Sequence, residues 1–136
     1  MTTEFFLAME NVPTMTHQQK KVRIVKGKPI HYEPAELAAV RAKLMARLAP
    51  YHPDTPYVGA VRLTTKWLFP ITGKHQDGDY KTSKPDTDNL QKMLKDCMTD
   101  CHYWKDDAQV ASEIIEKFWA ACSGIYIKIE NLGRET

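Results

Sequence analysis

Two close pairs of carboxylates and one lysine carry the chemical possibilities of this 136-residue chain. Asp86 and Asp88 lie in Lys-Pro-Asp-Thr-Asp-Asn-Leu-Gln-Lys (84–92), and Asp106 and Asp107 in Trp-Lys-Asp-Asp-Ala-Gln-Val (104–110). Clustered carboxylates repel one another, and a bound cation relieves that cost. Hard oxygen donors without a nearby histidine suit Mg²⁺, with Mn²⁺ as a substitute, rather than zinc. Asp86 and Asp88, one residue apart at a helix start, can converge if the backbone between them is extended. Pro85 favours an extended Lys84 on the approach. Asp107, at the start of a neighbouring strand, can then be a third donor. Such an ion keeps positions for water and a phosphate oxygen, which is the chemistry of phosphodiester hydrolysis. Lys92, one helical turn beyond Asp88, is a cation for the transition state or the leaving oxygen. The helix dipole adds attraction for phosphate.

Each of these residues also has a plainer reading. Asp88 followed three residues later by Gln91 resembles a capping box, which makes Asp88 a helix N-cap. Asp86 fits a turn, Asp106 and Asp107 fit a polar strand start, and Lys92 fits an exposed i,i+4 partner of Asp88. Their joint appearance around one helix favours the metal reading.

The elements that must position these residues follow from periodicity. Thr2 to Met9 is rich in apolar and aromatic residues and predicts a strand. Residues 11–31 lack a sustained period and carry Pro13, Gly27 and Pro29, so a long loop or loose hairpin is expected. Pro34 opens a helix whose buried stripe is Leu37, Val40, Leu44, Met45 and Leu48. From Gly59 to Phe69 the period is two, with Val61, Leu63, Thr65, Trp67 and Phe69 on one face. Residues 70–83 predict a flexible polar connection. Leu90, Met93, Leu94, Cys97, Met98 and Cys101 form the stripe of the helix after the first aspartates. Asp107 leads into a strand reaching about Trp119, with both faces expected to be covered. A last strand from Gly124 points Ile125, Ile127 and Ile129 one way. The result is a single small α/β (α+β) domain over 1–136, with helices on a mixed sheet in the order β-α-β-α-β-β.

Composition narrows the class further. The hydrophobic fraction of 43% and charged fraction of 26% are those of a soluble globular protein. No long apolar run and no export signal is read, so a cytoplasmic protein without membrane contact is expected. The three cysteines, Cys97, Cys101 and Cys122, read as thiols. Cys97, Cys101 and His102 lack the second ligand pair that a closed zinc site needs. The net charge of +2 is small but unevenly spread. No acid falls between Glu10 and Glu33, while Lys20, Lys21, Arg23, Lys26 and Lys28 all do. A basic arm beside an acidic cluster fits a polyanion held by one and a metal held by the other.

The wording of the two acidic blocks, and the helix-length gap between them, closely resembles the RusA family of Holliday-junction resolvases, common in phages and prophages. The resemblance is dense over 84–110 and loose elsewhere. It implies three essential aspartates at Asp86, Asp88 and Asp107, and an essential lysine at Lys92. It also implies a homodimeric, Mg²⁺-dependent endonuclease that binds four-way junction DNA and makes paired symmetric nicks, with no nucleotide cofactor. Asp106 matches the first member of the family's Asp-Asp pair, with its role open. Lys84 and the 20–28 arm are then candidates for gripping phosphates. The polar 70–83 connection and an arm of lysines rather than arginines depart from the family pattern. A non-catalytic junction-binding protein on the same fold, or a nuclease for flaps or other branched DNA, is the alternative.

Overall fold

The computed structural model describes residues 1–13, 21–25, 28–32 and 35–133, of which 21–25 and 28–32 are described through their backbone. The period-two segment forms the central strand β4 (Val61–Pro70). Its Val61, Leu63, Thr65, Trp67 and Phe69 are all buried, and Arg62, Thr64 and Lys66 stand on the more open face. Five other strands are β1 (Thr2–Ala8), β2 (Lys21–Val25), β3 (Lys28–Tyr32), β5 (Val110–Ala120) and β6 (Gly124–Asn131); the helices are α1 (Ala35–Leu48) and α2 (Thr87–Asp100). β4 pairs parallel with β5 and antiparallel with β6, and β6 pairs antiparallel with β1, giving the order β1-β6-β4-β5. The mixed sheet with packed helices is the predicted α+β architecture. Helix and sheet are held by one core, in which Ile125, Ile127 and Ile129 meet Leu37, Leu44 and Leu48 of α1 and Leu90, Leu94, Cys97 and Met98 of α2.

The hairpin weighed against a long loop for 11–31 is what forms: β2 and β3 make a separate antiparallel pair, with Lys21 opposite Tyr32 and Val25 opposite Lys28. Its two strands add to the expected order. The order is therefore β-β-β-α-β-α-β-β. Strands of five residues, one containing Pro29, are too short for alternation to rise above loop composition. The predicted helix opener Pro34 lies outside the described residues. β5 is also more open than predicted. It is an edge strand whose Ile114 is 44% exposed, and only Trp119 and Ala120 are buried. Its paired large residues reflect a half-covered edge rather than two covered faces.

Two local features place the site. A parallel β4–β5 pair cannot be joined by a tight turn, and α2 is the crossover between them. It runs back against the strands, so its first turn lies by the end of β5 and its last turn by the start. At the opposite edge of β4, Gly124 sits so close to β1 that a Cβ would meet the Leu7 carbonyl oxygen at 2.2 Å. Only glycine permits that approach. Among the described residues no helix is long and apolar enough to cross a membrane.

Candidate active site

Asp86 is the N-cap of α2, two residues earlier than the capping box at Asp88 and Gln91 would place it. Its backbone is extended, and its carboxylate makes no capping hydrogen bond. Asp88 follows in the first turn, and Asp86, Asp88 and Lys92 are all exposed. No ion pair joins Asp88 to Lys92 among the described residues. The two carboxylates are therefore unneutralised beside the positive end of a helix, with the first-turn N–H groups uncapped by the Asp86 side chain. That arrangement attracts cations through the carboxylates and phosphate through the backbone.

Gln91, the expected capping partner, turns inward instead. It is 1% exposed, and its Oε1 accepts from Thr65 Oγ1 at 2.8 Å and Trp67 Nε1 at 3.4 Å. Positions 91, 94 and 98 lie on one helical stripe, so the glutamine belongs to the core-facing surface. The polar bond to β4 fixes the first turn of α2 on the sheet. Spacing to Leu94 and Met98 was the available signal, outweighed by the capping-box pattern.

A ring of cations and aromatics lies behind Asp86. Lys117 Nζ donates to the Ser83 carbonyl at 2.7 Å and to the Pro85 carbonyl at 2.8 Å. Lys81 Nζ lies 4.0 Å from the centre of the Trp119 ring and donates to Ser83 Oγ at 2.7 Å. Burial, with the nearby Lys117 charge adding to it, lowers the Lys81 pKa. His75 stacks on the same Trp119, with the two ring centres 4.4 Å apart. The 70–83 connection, expected to be flexible, is hydrogen-bonded to β5 over 78–81: Gly78 N to Trp119 O, Trp119 N to Asp79 O and Lys81 N to Lys117 O. The Lys84–Pro85 peptide is cis. Lys84 is exposed beside Asp86.

The second acidic pair is divided in its work. Asp106 caps a single 3₁₀ turn (Asp107–Gln109): its Oδ1 accepts from Ala108 N at 2.9 Å, and Gln109 Oε1 accepts from Asp106 N at 3.1 Å. Gln109 Nε2 donates to the carbonyls of Tyr57 and Gly59. The role left open for Asp106 is thus that of a cap. Asp107, half-buried, is left in the first position of the turn.

Asp107 does not meet Asp86 and Asp88 within the chain. It lines a surface cleft with Asp96, Thr99 and Asp100, at the far end of α2. The helical rise from Asp88 to Asp100 alone is about 18 Å, far beyond the reach of one ion's ligands. Accordingly, among the described residues no group of three or more His, Cys, Asp or Glu is placed to hold a metal ion. Of the basic arm, Lys20 and Lys26 lie outside the described residues. The backbone of Lys21 and Arg23 is in β2 and that of Lys28 in β3, and their side chains are outside the description. Burial pushes the Cys97 thiol up to about 11, and Cys101 is raised by the same cause, so both remain thiols in the α1–α2 contact.

Comparison with known proteins bears directly on these residues. The family model described as Endodeoxyribonuclease RusA matches residues 11–130, spanning both acidic blocks. The chain is also 35% identical over 112 residues to a protein of Lactococcus phage r1t named crossover junction endodeoxyribonuclease rusA, covering 81% of this chain and 83% of the relative. A match over nearly the whole fold, with the aspartates and lysine inside it, establishes that the chain belongs to the RusA family of endodeoxyribonucleases.

Proposed function

We propose that the protein resolves four-way DNA junctions as a homodimer, cutting phosphodiesters with Mg²⁺ at sites built from Asp86, Asp88, Lys92 and Asp107. RusA-type nucleases generally depend on a divalent metal. The observation that carries the reading is the pair of exposed, uncapping carboxylates at the start of α2, inside the family's own motif. The donor set fits the ion: Mg²⁺ is commonly held by one or two carboxylates together with substrate phosphate oxygens. When bound, the ion supplies charge stabilisation to the phosphoryl oxygens and acidifies the attacking water.

The chain's own groups account for the rest. Asp86 and Asp88 hold the ion at the end of the helix. The first-turn N–H groups of α2 face the same space and hold a non-reacting phosphate oxygen. Lys92 Nζ, one turn up on the exposed face, stabilises charge on the leaving oxygen. Lys84 and the arm carrying Lys20, Lys21, Arg23, Lys26 and Lys28 grip flanking phosphates, which sets affinity and its salt dependence.

Asp107 belongs to this site only if it comes from the second copy. Its place at the far end of α2 excludes a contribution within one chain, and a two-fold dimer supplies it reciprocally to both sites. Two sites related by symmetry also suit a junction, which needs two opposed cuts. The reading places the enzyme in the cytoplasm of a bacterial cell, where junction DNA is its partner. End-labelled synthetic four-way junction, incubated with Mg²⁺ or EDTA beside linear duplex and a flap, tests it on a denaturing gel. Symmetric, Mg²⁺-dependent nicks in the junction are expected. A junction shifted on a native gel yet never cut would make the protein a binding module, and equal cutting of the flap would widen the substrate.

A further inference from the structure

The inner face of β5 should be apolar, because its residues are paired with the core face of β4. Glu113 lies opposite Leu63, Ile115 opposite Thr65, Lys117 opposite Trp67 and Trp119 opposite Phe69. Two of the four are charged, and both are tied to the α2 side of the molecule. Glu113 pairs with Lys95 of α2 at 3.0 Å. Lys117 reaches the segment that leads into α2, with Nζ 2.7 Å from the Ser83 carbonyl oxygen and 2.8 Å from that of Pro85.

These contacts make Lys117 an unusual anchor. Its backbone carbonyl accepts from Lys81 N at 3.0 Å, so one residue fixes 81, 83 and 85 together. The Pro85 carbonyl belongs to the peptide group that joins Pro85 to Asp86. On the other side of Asp86, its own carbonyl accepts from Leu90 N at 3.2 Å in the first helical bond. Asp86 is therefore held on both sides through its backbone while its carboxylate makes no capping bond. A half-buried ammonium donating to two carbonyls is a strong, directional restraint, since charge-assisted bonds exceed neutral ones.

From this geometry we propose that Lys117 is the positioning residue of the metal site, setting the direction of the Asp86 carboxylate by clamping the carbonyls of Ser83 and Pro85. The inference rests on the reading of Asp86 as a metal ligand. It carries a sign that separates it from simple electrostatics. A lysine acting only through its charge repels a nearby cation, so its removal tightens metal binding. A lysine acting as a strut loosens metal binding when removed. A lysine that instead contacts phosphate loses DNA affinity.

The test measures Mn²⁺ binding to the full chain from the free-ion electron paramagnetic resonance signal, for wild type, Lys117→Met, Lys117→Arg and Asp86→Asn. Four-way junction binding in EDTA is measured alongside by gel shift. Lys117→Met is expected to raise the Mn²⁺ Kd about tenfold, as loss of a supporting interaction around a metal ligand commonly does. Junction affinity in EDTA should stay within about twofold, because the metal-free contacts are elsewhere. Lys117→Arg, with several donors, should recover most of the Mn²⁺ affinity. An unchanged or tightened Mn²⁺ Kd in Lys117→Met overturns the proposal, as does a junction affinity that falls by the same factor. Asp86→Asn is the reference: wild-type Mn²⁺ binding by that variant would remove the site reading itself, whereas its loss beside an unaffected Lys117→Met would remove only the role of Lys117. Should Lys117→Met lose the native circular dichroism spectrum, Lys117→Gln, uncharged and too short to hold both carbonyls, carries the same comparison.

Discussion

The two acidic turns of this protein look alike in sequence and are built differently. Asp88 to Gln91 and Asp106 to Gln109 have the same Asp-x-x-Gln spacing. At the second, the capping box forms: Asp106 accepts from Ala108 N, and Gln109 reaches back to Asp106 N. At the first it does not, because Gln91 is bonded to Thr65 and Trp67 under the helix. The 3₁₀ turn is three residues long and has no buried stripe to draw its glutamine inward. α2 has one, and Gln91 falls on it. The consequence is chemical: one turn uses a carboxylate to hold its own backbone, and the other leaves two carboxylates for something outside the chain.

The contrast is most strongly broken by Asp86→Asn. Cleavage of a four-way junction in Mg²⁺ should fall at least about a hundredfold, the scale of losing a key charge-stabilising group. Junction binding in EDTA should persist, and urea unfolding should shift by no more than about 0.5 kcal/mol, because no cap is lost. Gel assays and urea melts on the same preparation decide this, and near-wild-type cutting would take Asp86 out of the chemistry. A smaller effect, in stability alone, is expected from Gln91→Ala. Loss of the buried bonds and of side-chain volume should cost about 3 kcal/mol in urea unfolding. A cost below about 1 kcal/mol would mean that the inward glutamine does not hold α2 to β4. The smallest change is Asp106→Ala, which removes one cap and should cost about 1 kcal/mol. Its cleavage rate, measured well below the melting temperature, should stay within a few-fold of wild type. A hundredfold loss there would make Asp106 part of the site.

Much of this was legible beforehand because it depends on local pattern. The alternation from Val61 to Phe69, the isoleucines of β6 and the stripes of both helices are each read correctly from periodicity, and all reappear in the core. The two acidic blocks are contiguous motifs, so their resemblance to a family could be seen without a fold. What was hidden depends on tertiary context. The direction of Gln91 is decided by Thr65 and Trp67, far away in sequence. Lys117 looks like an ordinary strand lysine until its register with Trp67 places it on the inner face. The loose hairpin was one of two expectations for 11–31, but the individual strands β2 and β3 are too short and too interrupted to show a period. Most consequential is the distance between Asp107 and the first pair. Sequence places them one helix apart, which reads as proximity, whereas a helix running back along the sheet separates them by its own length.

That separation makes the shared site the central claim, and subunit mixing tests it most directly. Asp86→Asn and Asp107→Asn, each inactive alone, are refolded together so that mixed dimers form, and junction cleavage in Mg²⁺ is measured. If Asp107 acts across the dimer, one site of each mixed dimer has a wild-type Asp86 from one copy and a wild-type Asp107 from the other, and nicking of single strands returns. If each site is built within one chain, both sites of the mixed dimer carry a defect. A mixture confirmed to contain mixed dimers that still cuts nothing would contradict the account.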